Sequence, residues 1–130
     1  MPGVAADRDV VVLAGLLAGA GITHFAVPRP YDAIVPRQLP GSARTWTYLS
    51  GAAELAVAAA VCGRRSRRAG GLAAAGLFAA VFPANVQMAV DWRRRPLPLR
   101  AIAYGRLPLQ VPLVRLALRV GRRARPHTDG

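Results

Sequence analysis

The sequence contains no lysine and only one cysteine, Cys62. A single thiol excludes an internal disulfide and a C-x-x-C pair, so dithiol exchange is closed to this chain. Its two histidines, His24 and His127, lie far apart with no metal-ligand spacing around them. No phosphate-cradling glycine loop and no Ser/His/Asp nucleophile set is present either. Catalytic activity of its own is therefore not expected, and no cofactor is evident. The lack of lysine beside abundant arginine points to a GC-rich genome and bears on no mechanism.

Charge is scarce as well. Charged residues make up 18% of the chain and apolar residues 53%, a balance shifted from soluble domains toward lipid. The length of 130 residues fits one domain. A net charge of +12 raises nucleic acid as a partner, but the arginines gather in short clusters: Arg64, Arg65, Arg67 and Arg68; Arg93, Arg94, Arg95 and Arg100; Arg122, Arg123 and Arg125. Between them run long uncharged stretches. Charge confined to connections describes a multi-spanning membrane protein rather than a nucleic-acid binder; a soluble basic helical domain is the bland alternative.

Four runs have the length to cross a bilayer at 1.5 Å per residue. They cover about 10–28 ("VVVLAGLLAGAGITHFAVP"), 45–63 ("TWTYLSGAAELAVAAAVCG"), 69–90 ("AGGLAAAGLFAAVFPANVQMAV") and 100–120. Asp7, Arg8 and Asp9 ahead of the first run do not make the positive start of a cleaved signal. The short links at 64–68 and 91–100 reach only between neighbouring helix ends. The expected fold is all-α: an integral membrane four-helix antiparallel bundle in a single domain, with residues 121–130 as a basic, disordered tail.

The longer connection "PRPYDAIVPRQLPGSAR", Pro28 to Arg44, holds too many prolines for a long helix. Tyr31, Ile34, Val35 and Leu39 suit a membrane–water boundary. The expectation is a short interfacial segment between the first two helices, with a solvated loop as the alternative. Four spans put both termini on one side. That side carries nine arginines against seven on the other, which favours cytoplasmic termini.

Depth then gathers the polar residues. With the first span rising outward, His24 lies near its outer end, Glu54 about 13 Å below the outer surface and Arg106 about 9 Å down. Gln110 follows one turn deeper on the face of Arg106, and Asn85 returns to the outer half. An ionised side chain in hydrocarbon costs roughly 2.5–3.5 kcal/mol, so Glu54 and Arg106 should face inward. An ion pair between them is expected, with His24, Asn85 and Gln110 completing the hydrogen bonds. Small residues at four-residue spacing, Gly15 and Gly19 in the first span and Gly76 and Ala80 in the third, predict close helix contact there; Ser50, Ala58 and Cys62 flank Glu54 in the same way.

The segment "AYGRLPLQVPLVRLALR" is apolar yet carries three arginines and two prolines. Membrane helices tolerate proline where neighbours satisfy the freed carbonyls, here those of Tyr104 and Pro108. Pro83 is expected to kink the third span at the level of Asn85. Arg115 and Arg119 lie near the cytoplasmic end, where long side chains reach headgroups.

The runs "HFAVPRPYDAIVPRQLP", "YLSGAAELA", "AVFPANVQMA" and "RLPLQ" together resemble the DoxX-like small membrane proteins, four-helix integral membrane proteins of bacteria. The resemblance extends from about Thr23 to Gln110. It places His24, Pro28, Tyr31, Pro36, Pro40, Ser50, Gly51, Glu54, Asn85, Arg106, Pro108 and Gln110 at the family's motif positions. The family name derives from a subunit associated with thiosulfate and quinone oxidation, and some relatives are linked to membrane redox complexes. By that resemblance a membrane redox protein is an expected partner, beside the bilayer itself, and quinone a conceivable ligand.

Three readings of the polar cluster stay open. It fixes helix register in an accessory or scaffold subunit; or it forms a pocket for a quinone or another lipophilic molecule, with His24 and Arg106 as donors; or Glu54 and His24 relay protons in a transporter. The third is weakened by the lack of an internal repeat. Oligomeric state is not encoded in these features.

Overall fold

Apolar runs separated by arginine and proline become helices with little else between them. The computed structural model describes residues 2–124, with side-chain surroundings from Ala6 onward. It contains α1 (Pro2–Ala26), α2 (Arg29–Asp32), α3 (Ala43–Cys62), α4 (Arg67–Ala80), α5 (Phe82–Asp91) and α6 (Leu97–Arg123). No strand occurs among the described residues, so the fold is all-α. Two stretches are long and apolar enough to cross a membrane: Ala6–Ala26, with mean hydropathy 1.7, and Arg67–Asp91, with mean hydropathy 1.5. α3 carries Glu54 and a polar first half, and α6 carries arginines along its length, which lowers both.

Helix boundaries have local causes. Ser42 caps α3 by accepting from the Thr45 amide at 3.2 Å. At its other end, Ser66 Oγ donates to the Ala60 carbonyl at 2.7 Å, and Arg67 donates to the carbonyls of Val61 and Cys62. These are the orphan acceptors of a helix C-terminus, where arginine is also favoured by the helix dipole. The third apolar run, expected as one span, is two helices. The chain turns at Val81, two residues ahead of Pro83, because proline offers no N–H to the preceding turn. α6 instead runs unbroken through Pro108 and Pro112. It also continues past the expected end at 120, so Gly121–Arg123 are helical rather than part of a disordered tail. The rest of that tail, 125–130 with His127, lies outside the described residues.

α1 packs on α3, α3 on α4, α4 on α6, and α6 back on α1, so the long helices close a ring in which α3 and α6 are diagonal. α5 leans on α6. Leu13, Leu17, Ala58, Val61, Ala74, Ala75, Leu116, Ala117 and Val120 form the larger apolar cluster. Ile34, Met88 and Ala103 form a smaller one toward the α2 end. Between these clusters the buried residues are polar: His24, Glu54, Asn85 and Gln110. Outward faces are apolar, with Val11, Leu16 and Ile22 on α1, Leu49 on α3, Phe82 and Val90 on α5, and Ile102, Leu109 and Val111 on α6 all exposed.

Close approach uses other glycines than the spacing implied. Gly15, Gly19 and Gly76 have nothing within 4 Å of an added Cβ, because those positions face outward. Contact is instead tight where Gly21 of α1 meets Gly51 of α3, and where Gly71 of α4 meets Gly121 of α6. A four-residue repeat marks a small face but not the direction in which it points.

The connection between α1 and α3 is a structured cap rather than a solvated loop. Ile34 is buried, and Tyr31 stacks on His24 with ring centroids 3.7 Å apart. Trp46 Nε1 donates to the Pro40 carbonyl at 2.6 Å. Gly41 takes φ +82°, a left-handed turn for which other residues are strained, just before α3. Asp32 holds the cap to α3 by accepting from Thr47 Oγ1 at 2.5 Å and Arg44 Nε at 2.8 Å. The Thr47 hydroxyl and the Arg44 guanidinium keep the Asp32 carboxyl below the usual range. A depressed native pKa stabilises the fold above the unfolded value and loses that stabilisation as pH falls through the native one. Acidification below about pH 4, the ordinary aspartate value, is therefore expected to loosen the cap before the helices melt. Trp46 fluorescence in a Trp92→Phe background reads this; an acid-insensitive emission, or one already shifting at neutral pH, contradicts it.

Candidate functional site

The break at Val81 carries α5 toward α6 and opens a cleft of about 480 Å³ beneath the α1–α3 cap. Its apolar walls include Ile34, Val35, Leu39, Leu77 and Pro83; its polar lining includes His24, Ser50, Glu54, Asn85 and Arg106. Apolar walls with a few convergent polar groups are the composition of small-molecule sites.

Each polar side chain arrives by a traceable route. Gly21 and Gly51 let α1 and α3 approach so closely that a Cβ on Gly51 would lie 2.8 Å from the His24 Cβ. That contact brings His24 Nδ1 to 3.3 Å from Glu54 Oε2. The same nitrogen lies 2.6 Å from the Ala20 carbonyl, an acceptor without a donor of its own, so Nδ1 carries the proton and donates there. Glu54 Oε2 is left buried without a hydrogen-bond partner among the described residues.

The expected Glu54–Arg106 ion pair does not form. Both residues line the cleft, but α3 and α6 stand diagonally in the ring, and α1 delivers the nearer base. Arg106 rests its guanidinium on the Met88 sulfur, 3.6 Å away. Asn85 and Gln110 do not complete the acid's hydrogen bonds either. Asn85 Nδ2 donates to Gln110 Oε1 at 3.3 Å, and Gln110 Nε2 donates to the carbonyl of Phe78. That carbonyl belongs to the turn before the α4–α5 break, so Gln110 straps the break to α6. Asn85 Oδ1 is the second buried oxygen with no partner among the described residues.

Of the flanking positions, Ser50 lines the cleft, Tyr31 covers His24, and Gly51 sits in the α1–α3 contact. Pro28 leads into α2, and Pro108 faces outward. Thr47 and Met88 escaped the sequence reading. Met88 lies one turn beyond Asn85 and was legible in principle; Thr47 owes its role to Asp32 across the loop, which no spacing signals. Among the described residues no group of three His, Cys, Asp or Glu side chains converges to hold a metal ion.

The family model described as a domain of unknown function, DUF8561, matches residues 13–121. The chain belongs to the DUF8561 family. Its match runs from the middle of α1 into the last turn of α6 and takes in every polar residue of the cleft. No curated protein and no solved structure matches this DUF8561 chain.

Proposed function

We propose that this chain is a multi-pass membrane protein that binds a small lipophilic molecule by its polar end. In this reading α1, α3, the α4–α5 rod and α6 cross a bacterial inner membrane as an antiparallel bundle with both termini cytoplasmic, and the α1–α3 cap lies at the outer interface. The arrangement of surfaces supports it: the outward faces of the long helices expose apolar side chains, and His24, Glu54, Asn85 and Gln110 are buried inside, as lipid favours. Resemblance to the DoxX-like proteins agrees with this architecture. The single observation that carries ligand binding is the cleft of about 480 Å³ with two buried oxygens, Glu54 Oε2 and Asn85 Oδ1, that no group among the described residues satisfies. A cluster that served only as a register device in an accessory subunit would satisfy its own polar groups.

Two measurements test the parts separately. Cys62, the sole cysteine, is exposed at the cytoplasmic end of α3 in this topology. A membrane-impermeant maleimide is expected to label it in inverted vesicles but not in intact cells; the opposite pattern refutes the orientation. For the cleft, protein purified in mild detergent is expected to release an apolar compound on solvent extraction, seen by mass spectrometry. Ser50→Phe, which fills the cleft, is expected to release none while keeping its helical circular dichroism. Equal extracts from both proteins, or none from either, would overturn the binding reading and return the cluster to an accessory-subunit role.

A further inference from the structure

The hydrogen-bond polarity of the cleft is fixed by the two backbone carbonyls behind it. A carbonyl only accepts, so Gln110 must turn its amide nitrogen to Phe78 and its oxygen to Asn85. Asn85 must then spend its amide nitrogen on Gln110, and its remaining group, Oδ1, is an acceptor. On the opposite wall the Ala20 carbonyl takes the His24 Nδ1 proton, and Glu54 is left with Oε2, another acceptor. Glu54 is 8% exposed and Asn85 4%, so water does not serve either oxygen freely. Two donors at the cleft are already engaged, Thr47 with Asp32 and Trp46 with Pro40. Arg106 is the cationic donor in the lining, and its contact is a weak sulfur acceptor.

We infer that the ligand of this cleft is a hydroxylated apolar molecule, a phenol or diol, that donates to Glu54 and Asn85 and accepts from Arg106. The inference rests on the binding reading above and narrows it. A hydroxyl is a small neutral group that both donates and accepts, and it is less costly to carry into an apolar cleft than an amide. A carbonyl or ether head offers no proton to the two stranded oxygens. An ammonium faces Arg106, and a carboxylate or phosphate faces Glu54. A quinone, acceptor at both ends, is accordingly disfavoured against its dihydroxy form.

A redox-stable series tests this with the intact protein in nanodiscs: a 5-undecylresorcinol, its dimethyl ether, and undecylbenzene, followed by quenching of tryptophan fluorescence. The resorcinol is expected to bind about tenfold more tightly than its ether, the worth of roughly one hydrogen bond. Glu54→Gln is expected to reduce that preference several-fold at unchanged helix content. Equal binding of resorcinol and ether overturns this inference while leaving a lipophilic pocket in place. Binding by no member of the series overturns both. An undiminished preference in a folded Glu54→Gln protein removes Glu54 as the acceptor and sinks the assignment.

Discussion

Gly71→Ala is expected to destabilise the bundle by about 1–3 kcal/mol, the usual range for forcing volume into a filled interface, and Gly71→Val by more. A Cβ at Gly71 would lie 2.5 Å from the Gly121 nitrogen, 2.6 Å from its Cα and 3.0 Å from the Ala117 carbonyl oxygen. All three are backbone atoms of α6. No rotamer change relieves the clash, so the two helices must part. Gly121→Ala should be milder, since the Leu72 side chain and amide nitrogen stand 3.2 Å or more away and the side chain can yield. Gly76→Ala has nothing within 4 Å and should be neutral or stabilising by about 0.5–1 kcal/mol through backbone entropy alone. Unfolding midpoints in mixed SDS and mild-detergent micelles rank the four proteins. Equal midpoints for Gly71→Ala and Gly76→Ala would mean that α4 and α6 do not meet at these glycines.

The second large effect is expected at Gln110. Replacing it with leucine strands the Phe78 carbonyl and the Asn85 amide nitrogen inside the bundle, each at about 1–3 kcal/mol. Gln110→Glu sharpens the point. A carboxylate is nearly isosteric, and it can still accept from Asn85, but once ionised it has no proton for Phe78. Both variants should therefore loosen the α4–α5 break, read as faster amide hydrogen exchange over residues 78–85. Their exchange elsewhere in α4 should stay slow. A glutamate variant as protected as the native protein would show that Gln110 does not strap the break.

Depth and direction were unequally legible in the sequence. A rise of 1.5 Å per residue sets the level of every group on a straight helix, and His24, Glu54, Asn85 and Arg106 do line one cleft. Which groups touch depends on the order of helices around the ring, and a single sequence does not carry that order. Glu54 and Arg106 thus line one cleft but stand on diagonal helices, while His24 arrives from the neighbour. The same limit applied to the glycines: Gly15 and Gly76 had the right spacing on the wrong face. Pro83 signalled a distortion near Asn85 because its chemistry is local. Its partner Gln110 is tertiary, and the pairing became visible only with α6 in place.

Asp9 accepts from Arg119 and Arg123 at 3.3 and 3.1 Å, side chains that follow it by 110 and 114 positions. Chains emerge from the ribosome in order, and contacts of long sequence separation form late. The first helix must consequently wait through the synthesis of all the intervening helices before its carboxylate meets these arginines, so the latch that closes the ring cannot form until the end of α6 has emerged.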